Sequence, residues 1–119
     1  MLNILVMGDT HCGDAGGITH PSDFIPRLSY LQEPLWNWFT KTLQEEGPFD
    51  ALIGTGDAVD GEGKQENVGL IQNDTLEQAK MAERVYESTQ IKKKYLVYGT
   101  PYHTVGTYSY ETPFAEAMD

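Results

Sequence analysis

An α/β fold, with parallel strands at the sheet core and helices on the sheet faces, follows from three features of this 119-residue chain. Short apolar runs alternate with longer segments of helical period. Each run passes into glycine. The order is strand, helix, strand, helix, strand, then the start of a further helix, and alternation of this kind predicts parallel pairing.

The first run, Leu2–Gly8, is short, mostly apolar and partly β-branched, and reads as a buried strand. It leads into Asp9-Thr10-His11-Cys12-Gly13 and then a Gly- and Pro-rich stretch from Asp14 to Pro26 with no regular period. A loop that long in a small domain is more often functional than idle. Pro34 opens a helix in which Leu35, Trp38, Phe39, Thr42 and Leu43 share one face. Gly47-Pro48 closes it. On this spacing Trp36, Trp38 and Phe39 belong to a helix-to-sheet core rather than a base-stacking platform. The second strand lies within Phe49–Gly56 and is followed by Asp57 and a loop from Ala58 to Asn73. Asp74-x-x-Glu77 has the form of a capping box, starting a helix through Leu76, Ala79, Ala82 and Val85/Tyr86 to about Gln90. Tyr95–Gly99 is the third strand, and Thr112-Pro113 has the form of a helix start.

Composition bounds the function. Eight Lys and Arg against 18 Asp and Glu give a formal charge of −10, which argues against charge-driven binding of nucleic acid. Anionic substrates remain open to a chain whose positive charge comes from metal ions. Residues 1–60 hold nine acids and two bases (−7), while residues 61–119 hold nine acids and six bases (−3). The longest apolar run, Met1–Met7, is broken by Asn3, is too short to span a bilayer and lacks the basic start of a signal peptide. The single cysteine, Cys12, cannot form an internal disulfide, which points to a reducing, cytoplasmic setting. Glu45-Glu46 and Lys92-Lys93-Lys94 read as solvated surface.

The chemistry lies where the strands end. Asp9, His11, Asp57, Asp60 and His103 all follow apolar runs, and in an open parallel sheet ligands bind beyond the carboxyl ends of the strands. Carboxylates and imidazoles gathered there suit divalent metal, and two ions if a carboxylate bridges them. His20, in a Pro-rich loop without motif support, reads as structural. Cys12 has no Cys partner nearby and reads as packing.

Asp9-x-His11, then Gly56-Asp57-x-x-Asp60, then a Gly-containing turn with His103 after the third strand resemble the calcineurin-like metallophosphoesterases. Asp9–Gly13 with Gly17-Ile18-Thr19-His20-Pro21, and Gly56–Gly61 followed by Leu76–Ala82, resemble members encoded by phages and prophages. The resemblance covers essentially the whole chain. It implies half of an αββα sandwich, and a hydrolase of phosphomono- or phosphodiesters working through two divalent ions and a metal-activated water. Manganese is the favoured metal, with iron, zinc or nickel as others the family type accepts. Asp9 and His11 would hold the first ion and Asp57 would bridge both. His103 would assist the leaving group, and Gly8, Gly56 and Gly99 would let the backbone turn beside the site. The substrate would be a phosphate ester, with nucleotide or nucleic acid among the candidates and no membrane involved.

Two departures from the family pattern stand out. The third block reads Gly99-Thr100-Pro101-Tyr102-His103, with Thr100 where the family has a metal-binding Asn and the histidine two positions later. Thr100 and Asp60 are therefore candidates for the second ion or for the shell around it. The family's later histidine blocks do not occur in the chain, which is expected to be the N-terminal half of a single domain, residues 1–119. Apolar surface along an open sheet edge, or an oligomer or partner chain covering that edge, is expected with it. The alternative function is a catalytically silent metal-binding or assembly domain that needs a partner chain.

Overall fold

The computed structural model describes residues 1–13, 17–56, 58, 75–97, 104–105 and 108–109. Asp57, Asp60, Thr100 and His103 lie outside the described residues, as do the capping residue Asp74 and the helix start at Thr112-Pro113.

Three strands, β1 (Ile4–Met7), β2 (Ala51–Gly54) and β3 (Lys94–Leu96), form a parallel sheet in that order. The register sets Leu5 beside Leu52 and Met7 beside Gly54, with Leu52 beside Lys94 and Gly54 beside Leu96. Helix α1 (Ser29–Glu46) connects β1 to β2, and α2 (Thr75–Ser88) lies between β2 and β3. A short antiparallel hairpin follows, β4 (Thr104–Val105) and β5 (Tyr108–Ser109), in a stretch where no strand is expected from the sequence. Asn3, which interrupts the first apolar run, ties the start of β1 to the α1–β2 connection. Its backbone N–H donates to Asp50 Oδ2 at 2.7 Å and its side-chain amide to the carbonyls of Glu46 and Pro48 at 3.0 and 2.7 Å.

The strand order has a consequence for the core. Parallel crossovers are right-handed, so two that step in the same direction leave both helices on the same face. Burial agrees. Leu5, Met7, Leu52 and Leu96 pack with Trp36, Phe39 and Leu43 of α1 and with Ala79, Ala82, Val85 and Tyr86 of α2 in one cluster. Residues of opposite parity on the outer strands are left open, Ile4 at 44% exposed, Val6 60%, Tyr95 54% and Val97 57%, while Ala51 and Ile53 of the middle strand are partly buried. Among the described residues both helices thus lie on one face of the sheet, since covering the second requires the winding to reverse direction. Exposed apolar surface is found on both edge strands, on the side away from the helices.

Helix α1 begins at Ser29, not at Pro34, which lies inside it. A 3₁₀ turn over Pro26–Leu28 feeds straight into Ser29, and Leu31, Gln32 and Glu33 are good helix formers. Pro34 lies past the first turn, so it withholds the donor owed to the Tyr30 carbonyl and its ring crowds that carbonyl. The buried seam of α1 runs through Gln32, Trp36, Phe39 and Leu43. Trp38 stands about 100° from Phe39 around the helix and is 62% exposed, so its expected place in the core is corrected.

The long loop after β1 is anchored from the far side. Asp23 receives a bidentate pair from Arg84 of α2, Nε to Oδ2 and Nη2 to Oδ1, both at 2.7 Å. His20 plays a structural part, its Nδ1 accepting from the Ser22 N–H at 3.1 Å and its ring meeting Trp36 edge-on at 5.1 Å.

Candidate metal centre

Because the strands are parallel, β1 and β2 end on the same side of the sheet, and the two loops that follow are stitched together. Thr55 N–H donates to the Met7 carbonyl at 2.8 Å, and Asp9 N–H to that of Gly56 at 3.2 Å. Cys12 N–H and the Thr10 hydroxyl both donate to the Ala58 carbonyl, at 2.8 and 3.2 Å. Gly56 and Ala58, the neighbours of position 57 in sequence, are therefore each bonded to the loop that carries Asp9 and His11. Gly56 adopts φ +106°, a conformation that glycine enters without a Cβ penalty. Gly8 differs from its expected role: a Cβ there would come 2.1 Å from the Thr55 hydroxyl, so it permits close approach of the loops rather than a sharp turn.

Asp9 and His11 carry the strain of the loop. Both have left-handed backbones, φ 55° and 43°, which non-glycine residues adopt at a cost and which cluster at functional sites. The conformation turns both side chains toward one spot, with His11 Nε2 3.5 Å from Asp9 Oδ1. The side chains stay open to solvent, 32% exposed for His11 and 76% for Asp9. Beneath them Thr10 and Cys12 point inward, 6% and 0% exposed. Residues 9–12 thus alternate, donors out and anchors in.

The donor set fits a divalent ion. Two ligands that each stand about 2.1 Å from one ion are themselves about 3–3.5 Å apart, which is the separation of these two atoms. A carboxylate oxygen and an imidazole nitrogen suit manganese, iron or zinc. Among the described residues no group of three or more His, Cys, Asp and Glu gathers around one point.

Cys12 is not a third ligand. It is wholly buried, and desolvation pushes its thiol up from 9.0 to about 12, with the Asp23 carboxylate adding to the rise and a hydrogen bond with Thr10 opposing it. The packing role expected for it holds. The sign of the linkage gives a test. The unfolded chain sheds this proton above about pH 9, while the folded chain keeps it to about pH 12. The folded state therefore loses stability as pH rises through that window, on the order of 1.4 kcal/mol per pH unit from this group. Urea denaturation of Cys12→Ala should show a shallower alkaline decline than the parent, the two curves running parallel below pH 9.

Among the described residues no helix is long and apolar enough to cross a membrane. Comparison with family models, with curated proteins and with solved structures gives no match.

Proposed function

We propose that the chain is a metal-dependent hydrolase of phosphomono- or phosphodiesters. The observation that carries this is the Asp9–His11 pair, two solvent-facing donor atoms 3.5 Å apart on a strained backbone at the end of a parallel sheet. The resemblance of Asp9-x-His11 and Gly56-Asp57-x-x-Asp60 to the calcineurin-like metallophosphoesterases supports the same assignment.

Two divalent ions, when bound, supply an activated water and positive charge for the phosphoryl oxygens. The chain's own residues divide the remaining work. Asp9 and His11 would hold the first ion. Asp57, flanked by two residues bonded to the Asp9–Cys12 loop, would be a ligand shared by both ions, and Asp60 and Thr100 would serve the second ion or the shell around it. His103 is assigned to give a proton to the leaving oxygen. Thr10, through its bond to the Ala58 carbonyl, fixes the spacing of the two ligand loops. A second reading, a catalytically silent domain serving assembly, is favoured by the open apolar face of the sheet.

Incubation with Mn²⁺ and a chromogenic phosphodiester separates the two. Hydrolysis that falls by roughly 10²-fold or more in Asp57→Asn is the expected result. Hydrolysis unchanged in the variant, or absent from both proteins, removes the enzyme assignment for this chain.

A further inference from the structure

The edge of β1 that faces away from β2 borders a groove of about 410 Å³. Consecutive residues from Leu5 to Asp9 form one wall, and Trp38, Phe39, Thr42 and Leu43 of α1 form the other. In a β–α–β crossover the helix runs back against the strand, so Leu43 lies toward the Leu5 end and Trp38 toward the Asp9 end. The groove thus starts in aliphatic surface, passes an indole and finishes at the metal pair. All of these residues belong to well-formed elements or to the Asp9 loop itself.

Three properties select an occupant. The volume falls within the range of about 300–1,000 Å³ typical of small-molecule sites. Asp9 is the one ionisable side chain in the lining, so a polyanion threading the groove would meet a carboxylate and no cation. And Trp38, the largest side chain in it, is 62% exposed beside a buried Phe39, an arrangement that leaves a broad apolar ring face to stack on. An uncharged planar group joined to a phosphate fits all three: ring against Trp38, phosphate at the Asp9 end.

Resting on the phosphoesterase assignment, we propose that this groove receives the aromatic organic group of the ester, and that Trp38 sets the preference of the site for aryl or heteroaryl phosphates over small alkyl ones. Trp38 is a specificity residue here and takes no part in the chemistry.

The test uses the full chain and non-hydrolysable probes. With Mn²⁺ present, calorimetry should show 1-naphthyl phosphonate binding at least tenfold tighter than methyl phosphonate. Trp38→Ala, which removes the stacking face, and Thr42→Phe, which fills the groove, should each erase that tenfold preference and leave methyl phosphonate affinity unchanged. Trp38 is exposed and Thr42 only partly buried, so both variants should keep the parent's circular dichroism. Without metal, 1-naphthol should still quench indole fluorescence in the parent and not in Trp38→Ala. Equal affinity for the two phosphonates, or a preference that survives both substitutions, overturns the groove. If neither phosphonate binds with Mn²⁺ while naphthol quenches through Trp38, the groove stands and the phosphoesterase assignment falls.

Discussion

Gly17→Ala is expected to lower the stability of the chain by about 3 kcal/mol and to weaken Mn²⁺ binding with it. A Cβ at position 17 would lie 2.3 Å from the carbonyl oxygens of both Thr10 and His11. These are backbone atoms of the Asp9–Cys12 loop, and they cannot swing aside as a side-chain tip can. Thr10 is held in turn by its hydroxyl on Ala58, and its carbonyl already accepts from Ile18 N–H at 2.9 Å. Relief of the clash must therefore move the Thr10–His11 peptide, and with it the φ of 43° that aims His11 at Asp9. Urea denaturation and Mn²⁺ titration of the same variant check both parts. A variant as stable as the parent would show that the loop has slack which this packing denies it.

Leu52→Ala is expected to cost about 3–5 kcal/mol, enough to unfold much of a domain this small. Leu52 is fully buried at the centre of the middle strand, on the face that both helices cover. Ile53, its neighbour, points to the open face. Ile53 is only partly buried, so Ile53→Ala is expected to cost less, about 1–2 kcal/mol. The contrast between adjacent residues of one strand, read from chemical denaturation, tests the one-sided core directly. Comparable costs would mean that the second face is covered in solution.

Much of this architecture was legible in the residues. The runs at Ile4–Met7 and Ala51–Gly54 are short and apolar between turn residues, and the α2 seam Ala79, Ala82, Val85 and Tyr86 keeps a helical period. Parallel pairing followed from their alternation with helices. What could not be read was which face each helix covers, because that depends on strand order and not on local pattern. The start of α1 was obscured by Pro34, a residue that marks the first turn of many helices and sits a turn deeper here. The same shift of attention placed Trp38 in the core: Leu35, Trp38 and Thr42 do share a stripe, but the sheet lies against the neighbouring stripe through Gln32, Trp36, Phe39 and Leu43.

At the site, Asp9 and His11 were visible as an Asp-x-His motif after a strand, and the structure brings their donor atoms together. Their left-handed backbones were not visible, since such strain is imposed by the contacts of the Asp9 loop with Gly56, Ala58 and Gly17. Thr10 was equally hidden. Its value lies in a single bond to a carbonyl 48 positions away, and no local pattern announces that. Asp57, Asp60, Thr100 and His103 rest on the sequence alone, their positions lying outside the described residues.

As half of the proposed divalent metal site, Asp9 and His11 should govern Mn²⁺ affinity. Calorimetric titration of Mn²⁺ into the full chain, beside Asp9→Asn and His11→Ala, tests it most directly. The parent should bind, and each substitution should weaken binding by roughly tenfold or more, with the fold retained because both side chains reach solvent. Mn²⁺ affinity that is the same in all three proteins would contradict the claim.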